Sequence, residues 1–232
     1  MRETRHQFRE TLKELEQQAM GGLDLVVSQL DRALEAVGYQ DIELASMVVA
    51  DDDRIDGRYL EVHQGVLSLL ARQAPVATDL RVVAALLHII RCVERMGDQC
   101  VNIAKLVPLS GHEQPKDSEI LEALEQMGKL ARAQVIQARD AFSTRSDTLA
   151  RALATQDEEI NALNRAIFRR AVDIGDDQEL REWAMFMILV ARCLERIGDN
   201  TVDIAEQTVF VITGLFREFA DASTPPEKVP GA

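Results

Sequence analysis

The chain has 232 residues, of which 47% are hydrophobic and 28% charged, and its formal net charge is −13. This composition excludes a wholly disordered chain, and the acidic balance argues against binding nucleic acid or anionic lipid through a basic surface. Aromatic residues make up only 4% of the chain, which argues against β-sandwiches and barrels and favours helices.

The ends and apolar stretches of the sequence predict a cytoplasmic protein. The N-terminal segment is charged and lacks the apolar core of a secretory signal, and the longest apolar stretches, 82–90 and 183–191, are far shorter than a bilayer span. The three cysteines form no CxxC pair and leave one over in any disulfide scheme, which suits a reducing compartment. We therefore interpret Cys92, Cys100 and Cys193 as small core residues.

The first half of the chain predicts three helices. Apolar residues recur at steps of three and four over 12–37, which places them on one helical stripe. The segment 38–41 breaks this pattern, and a second helical pattern runs over 42–70. Pro75 then separates the second helix from a third, predicted over 76–107.

The second half predicts three more helices after a linker at 108–115, which is rich in proline, glycine and polar residues. Asp117 or Ser118 is suited to cap the fourth helix. The fourth helix is predicted over 118–143, the fifth over 146–174 and the sixth over 177–219. The proline-rich tail over 220–232 is predicted to be disordered.

An internal duplication relates the two halves. The octet RCVERMGD at 91–98 returns as RCLERIGD at 192–199, 101 positions later, with six identities in eight. Upstream, the quartet DRID at 53–56 matches EEIN at 158–161 more weakly. The sequence therefore predicts an all-α fold of two tandem three-helix bundles, six helices in total. The predicted domains are 1–110, 111–219 and the tail 220–232.

Each repeat carries an acidic stripe on its third helix. Glu94, Asp98 and Asn102 are four residues apart, so they project from one face within an arc of about 80°. Glu195, Asp199 and Asp203 repeat the pattern. The candidate metal ligands are Glu94, Asp98, Asp53 and Asp56 in the first repeat and Glu195, Asp199, Asp203 and Glu158 in the second, with Glu159 or Asn161 as further donors.

Two interpretations of these stripes stay open. Nearby arginines can neutralise the carboxylates as salt bridges, or the carboxylates can bind a hard or borderline cation through oxygen ligands, of an identity that the ligands do not fix. The candidate salt-bridge partners are Arg91, Arg95, Arg192 and Arg196. Gly97 and Gly198 cost helix stability and are predicted to mark the close approach of a neighbouring helix.

With these paired motifs, the chain resembles the PhoU family of phosphate-signalling regulators. The resemblance covers both repeats and rests on the paired motifs Glu94 to Asp98 and Glu195 to Asp199 and on the segment RQAPVATDLR at 72–81. It implies two three-helix bundles and negative control of the phosphate-starvation response and of phosphate uptake. It also implies contact with the ATPase of a phosphate ABC transporter and with a sensor histidine kinase.

The resemblance also implies a metal role. Some family members carry multinuclear metal clusters on the acidic motifs, which assigns divalent or iron-type metal ions to Glu94, Asp98, Glu195 and Asp199. The second repeat departs from symmetry because Asn161, a weaker ligand, stands where the first has Asp56.

Competing readings are a metal-free helical adaptor and a carboxylate-bridged metal enzyme. The enzyme is disfavoured because a glycine follows each motif glutamate by three residues, where a di-iron site needs histidine, and because the one Glu-x-x-His is Glu3 to His6 near the terminus. We expect no enzymatic activity, no nucleic-acid partner, a homodimer, and membrane association only through partners. The apolar stretch at the end of the sixth helix is interpreted as core, with a dimer contact or a transporter contact as alternatives; it consists of Val209, Phe210, Ile212, Phe216 and Phe219.

Overall fold

The computed structural model describes residues 2–110 and 116–219, which form helices joined by short loops and contain no strands. A short 3-10 turn, Val107–Leu109, follows the fourth α-helix. The α-helices are α1 Arg2–Tyr39, α2 Ile42–Ala50, α3 Asp53–Arg72, α4 Thr78–Leu106, α5 Ser118–Thr144, α6 Asp147–Val172 and α7 Gln178–Thr213. The predicted all-α fold of two repeats is confirmed, with α2 and α3 together in the place of the second helix.

The break between α2 and α3 was not predicted. Arg32 on α1 forms an ion pair with Asp51 at 2.5 Å. Gln29, also on α1, donates from Nε2 to the carbonyl oxygen of Val48 at 3.3 Å and to Asp52 Oδ1 at 3.2 Å. These α1 side chains thus bind the last part of α2 and the two aspartates of the turn, which stabilises the interruption between α2 and α3.

Short polar side chains begin the helices of the second repeat. Asp117, Ser146 and Asp177 each accept a hydrogen bond from a backbone amide three residues on, the usual N-cap arrangement. The predicted end of the last helix at residue 219 is wrong. Helix α7 ends at Thr213 because Gly214 adopts a left-handed conformation with φ 77°.

The two repeats share a continuous hydrophobic core. Within the first repeat α1, α3 and α4 pack together, and within the second α5, α6 and α7 do so. Between the repeats α4 packs against α7 and α1 packs against α5, which are the helices related by the duplication. The largest fully buried side chains therefore belong to one cluster that includes Leu23, Met96, Phe142 and Trp183.

Several predictions fall on specific parts of this fold. The cysteines Cys92, Cys100 and Cys193 are all buried, as predicted for core residues.

The disordered tail predicted from residue 220 and most of the linker, 111–115, lie outside the described residues. Across 2–110 and 116–219, no helix is both long enough and apolar enough to cross a membrane. The domain boundary near residue 110 stays a prediction.

Candidate functional site

Gly97 and Gly198 let a helix of the same repeat approach the acidic stripe closely. A Cβ atom placed on Gly97 would lie 3.0 Å from Ile55 Cγ2 and 3.3 Å from Asp52 Oδ1. A Cβ atom on Gly198 would lie 3.2 Å from Gln134 Oε1 and closer still to Asp157 Oδ1. The predicted close approach is confirmed, and it places an aspartate against the motif glycine in each repeat.

The first acidic cluster consists of Asp52 beside the start of α3, Asp56 on α3, and Glu94 and Asp98 on α4. Burial raises the pKa of Asp52, and the charges of Asp56 and Asp98 raise it further, while the hydrogen bond from Gln29 opposes them. Burial likewise raises the pKa of Glu94, where Asp98 and Asp56 add to the effect and Arg91 opposes it. The four carboxylates therefore repel one another across two helices.

The second acidic cluster consists of Asp157 and Asn161 on α6 and Glu195 and Asp199 on α7. Asp157 is only 8% exposed. Burial raises its pKa to about 6, the charge of Asp199 contributes to the rise, and the hydrogen bond from Asn161 opposes it. That bond runs from Asn161 Nδ2 to Asp157 Oδ2 at 2.9 Å, so an amide donor takes the place that Asp56 has in the first cluster.

Arginine neutralisation, the first of the two interpretations, is present in both repeats. Arg91 Nη1 lies 3.2 Å from Glu94 Oε1. Arg192 forms the same ion pair with Glu195. Each pair engages one oxygen of the glutamate, and Glu94 Oε2 is buried without a hydrogen bond among the described residues. Salt bridges therefore neutralise part of the acidic stripe, and carboxylate oxygens such as Glu94 Oε2 have no hydrogen-bond partner among the described residues.

The unpaired oxygens fit the donor chemistry of a hard cation. Besides Glu94 Oε2, the second cluster buries Asp157 Oδ1 and Asn161 Oδ1 without a hydrogen bond in the described part of the chain. Carboxylate and amide oxygens are the ligands that hard divalent cations prefer, and an unpaired buried oxygen is costly unless something binds it. The residues present thus fit a metal bound through oxygen.

The predicted ligands are distributed unevenly over these clusters. Asp56, Glu94 and Asp98 come together in the first cluster, and Glu195 and Asp199 lie in the second. Asp53 is exposed in the first turn of α3, and Glu158 is exposed beside Asp157, whose pKa its charge raises. Asp203 is half-buried and faces His88 and Cys92 of the other repeat.

Sequence reasoning missed Asp52 and Asp157, the two aspartates that the motif glycines admit. Each stands one position before a matched quartet and three before the isoleucine, Ile55 or Ile160, that packs on the glycine. It also missed Gln29 and Gln134, buried glutamines at corresponding positions of α1 and α5. Extending the quartet match by one residue would have found the aspartates.

Comparison with known proteins identifies the family. The model of the PhoU domain matches residues 22–107 and 124–208, one match in each repeat. The chain belongs to the PhoU family. The two PhoU matches coincide with the two halves in which α4 and α7 carry the acidic motifs, so the recognised family is confirmed over both repeats.

Individual relatives agree in length as well as in sequence. A protein of Clostridium acetobutylicum named phosphate-specific transport system accessory protein PhoU homolog is 30% identical over 214 residues, covering 91% of this chain and 96% of its own. A protein of Caulobacter vibrioides with the same name is 34% identical over 197 residues, covering 84% of each chain.

A solved PhoU structure shares the fold. The crystal structure of the phosphate transport system regulatory protein PhoU from Streptococcus pneumoniae superposes with a TM-score of 0.83 at 30% identity, covering 90% of this chain and 99% of its own. The arrangement of two packed three-helix repeats is therefore that of the PhoU family.

Proposed function

We propose that this protein regulates phosphate uptake and represses the phosphate-starvation response through protein contacts. The observation that carries the proposal is the match of the PhoU domain in both repeats, together with relatives that are named accessory or regulatory proteins of phosphate transport. The partners proposed are the ATPase of a phosphate ABC transporter and a sensor histidine kinase, reached from the cytoplasm by a homodimer without enzymatic activity.

The acidic clusters are the proposed metal sites. Asp52, Asp56, Glu94 and Asp98 would hold a cation in the first repeat. Asp157, Asn161, Glu195 and Asp199 would do so in the second. Asp53 would be an outer ligand of the first site and Glu158 of the second. A bound divalent or iron-type ion would supply positive charge that offsets the repulsion among these carboxylates.

The repulsion supports the metal over a metal-free adaptor. Removing clustered carboxylates from water is unfavourable: burial raises the pKa of Asp52, Glu94 and Asp199, and the arginines beside Glu94 and Asp199 offset this rise only in part. A cation also changes the charge of a face that partner proteins would touch, which links metal occupancy to binding.

The regulatory role is tested by deleting the gene and measuring alkaline phosphatase in phosphate-rich medium. We expect deletion to raise expression and the wild-type gene to restore repression, as a negative regulator requires. A quadruple variant with Glu94, Asp98, Glu195 and Asp199 changed to alanine should fold, which circular dichroism checks, and fail to repress. Unchanged phosphatase after deletion, in a strain without a second copy of this family, would contradict the regulatory role.

The metal role is tested separately by elemental analysis of untagged protein. We expect bound metal in the wild type and loss of it in the quadruple variant. If the wild type carries no metal under varied metal supply while deletion still derepresses, the protein is an adaptor whose acidic faces bind partners directly.

A further inference from the structure

A second kind of side-chain cluster lies where α4 of the first repeat packs against α7 of the second. His88 and Cys92 are one helical turn apart on α4, and Asp203 faces them from α7. One donor atom from each residue lies within 4.8 Å of the other two. We call these three residues the seam cluster. It joins the two repeats, whereas each acidic cluster lies within one repeat.

The donors of the seam cluster are an imidazole nitrogen, a sulfur and a carboxylate oxygen. This mixture suits a borderline ion such as zinc, while the all-oxygen acidic clusters suit harder ions. A tetrahedral zinc ion with bonds of about 2.0–2.3 Å holds its ligand atoms about 3.3–3.8 Å apart. Because the three donor atoms lie within 4.8 Å of one another, each separation needs to close by at most about 1.5 Å, which rotation of the exposed His88 and half-buried Asp203 side chains can supply.

Exposure of the three residues increases from Cys92 through Asp203 to His88, which fits a site with access to solvent. Cys92 is buried, Asp203 is half-buried and His88 is exposed. A metal ion would enter from the His88 side and reach the thiol at the inner end. Three protein ligands leave a fourth position of a tetrahedral ion for water or for a partner's side chain.

The charges around the seam cluster favour a cation. The carboxylate of Asp203 lies under the influence of Asp199 and Glu218, which raise its pKa, and of His88 and Arg95, which lower it, with burial the largest cause of its overall rise. Glu206 is a further acidic neighbour, since Asp203 raises its pKa. Acidic groups thus outnumber the fixed positive charge of Arg95, and the ion would displace the proton of Cys92 on binding.

The duplication provides an internal reference for this cluster. The positions that correspond to His88, Cys92 and Asp203 are Leu189, Cys193 and Asn102. The corresponding side of the seam therefore keeps the cysteine, which is buried in both repeats, and lacks the imidazole and the carboxylate. Leu189 is 50% exposed, so the packing of the seam does not itself demand a polar residue at His88. The three donors coincide on one side only.

We propose that His88, Cys92 and Asp203 form a binding site for a zinc-like divalent cation that links the two repeats, separate from the acidic clusters. This proposal does not depend on the regulatory role. Because its ligands come from both repeats, an ion bound here would hold α4 against α7. Its affinity would depend on the position of the two bundles relative to each other.

Cobalt binding tests the proposal, because a cobalt–thiolate bond gives a charge-transfer absorption in the near ultraviolet that oxygen ligands do not give. The reduced, full-length protein without a histidine tag is titrated with Co²⁺, and Zn²⁺ is then added. We expect one equivalent of cobalt to give the sulfur band and zinc to abolish it. Cobalt bound at the acidic clusters would lack that band, so failure at one kind of site is distinguishable from failure at the other.

Variants that copy the other repeat provide matched controls. Cys92→Ala should remove the sulfur band, and Cys193→Ala should retain it. His88→Leu and Asp203→Asn, which install the corresponding residues, should each weaken cobalt binding by at least about tenfold, since even indirect partners of ligands contribute that much. Circular dichroism checks that each variant is folded. A wild type without the band, or a band that survives Cys92→Ala, would overturn the proposal.

Discussion

The two acidic clusters differ mainly at one position, where the first repeat has Asp56 and the second has Asn161. In the first cluster Asp56 adds a negative charge that raises the pKa of both Asp52 and Glu94. In the second, the Asn161 amide donates to Asp157, which is more deeply buried than Asp52. Burial is the largest cause of the raised pKa in both clusters, and the same fold thus supports an added charge at this position in one repeat and an amide donor in the other.

This difference shows how a duplicated site can diverge without a change of fold. The motif glycine, the aspartate that faces it and the buried glutamine recur in both repeats. The group at the last position of the quartet changes, from Asp56, which repels Asp52, to Asn161, which donates a hydrogen bond to Asp157. We therefore expect that, without a bound cation, the second cluster relies on protonation of Asp157 and on the hydrogen bond from Asn161, while the first carries an additional uncompensated charge at Asp56.

The largest expected effect concerns the charge of Asp157. Its folded-state pKa of about 6 lies above the ordinary value of 3.8, so the folded state holds a proton that the unfolded state has lost between these two values. The contribution of this group to stability is therefore greatest below about pH 4, declines as the pH rises to about 6, and stays low above it. Two pKa units correspond to about 3 kcal/mol.

Asp157→Asn should remove the free energy that ionising the buried Asp157 carboxyl group costs the folded state above about pH 6. With a chelator present, denaturant unfolding should show the variant up to about 3 kcal/mol more stable than the wild type near pH 7 and equal to it near pH 4. Asp52→Asn, the matched variant in the first repeat, should give a smaller gain because Asp52 is less buried. A loss of stability in Asp157→Asn near pH 7 would show that the ionised carboxylate is well compensated.

Exchanging the distinguishing residues should give effects of opposite sign. Asn161→Asp removes the donor to Asp157 and adds a like charge, so without metal it should lower the free energy of unfolding by about 2 kcal/mol. Asp56→Asn removes a repelling charge and should raise it by less than about 1 kcal/mol. Urea unfolding at neutral pH with a chelator measures both. Equal signs for the two variants would refute the proposed contrast between the clusters.

The smallest expected effect concerns the motif glycines. A methyl group on Gly198 would collide with Asp157 and the Gln134 amide oxygen, which are both buried, so Gly198→Ala should cost about 1 kcal/mol after the gain in helix propensity. Gly97→Ala meets mainly Ile55, which has to shift by only a few tenths of an ångström, and should be nearly neutral. Thermal unfolding compares the two, and a larger loss in Gly97→Ala would reverse the assignment of the tighter contact.

The repeat and the helical periodicity were enough to predict the fold and part of the acidic clusters. Glu94, Asp98, Glu195 and Asp199 follow from the duplicated octet, and the close approach at Gly97 follows from the cost of a glycine within a helix. A quartet match longer by one residue would have indicated Asp52 as a candidate, but its placement against Gly97 is set by the break after α2. That break depends on Gln29 and Arg32 of α1, which are distant in sequence.

The seam cluster shows a different limit of sequence reasoning. His88 and Cys92 are visible as a pair one turn apart, but nothing in a single sequence indicates that Asp203, which belongs to the other repeat, faces them. The sequence places Asp203 on the acidic stripe with Glu195 and Asp199. In the structure, Asp203 also lies beside His88 and Cys92, where α7 packs against α4. Such a contact depends on how the two bundles dock.

The pairing of α4 with α7 and of α1 with α5 has a consequence for the origin of the chain. Each of these four helices meets its own duplicate, which is the arrangement that a twofold axis produces between identical subunits. A single-repeat ancestor would have used the same surface to form a homodimer. In that dimer any substitution would have appeared on both sides of the axis. A chain with both copies fused does not carry this constraint, and one side of the seam has histidine and aspartate where the other has leucine and asparagine.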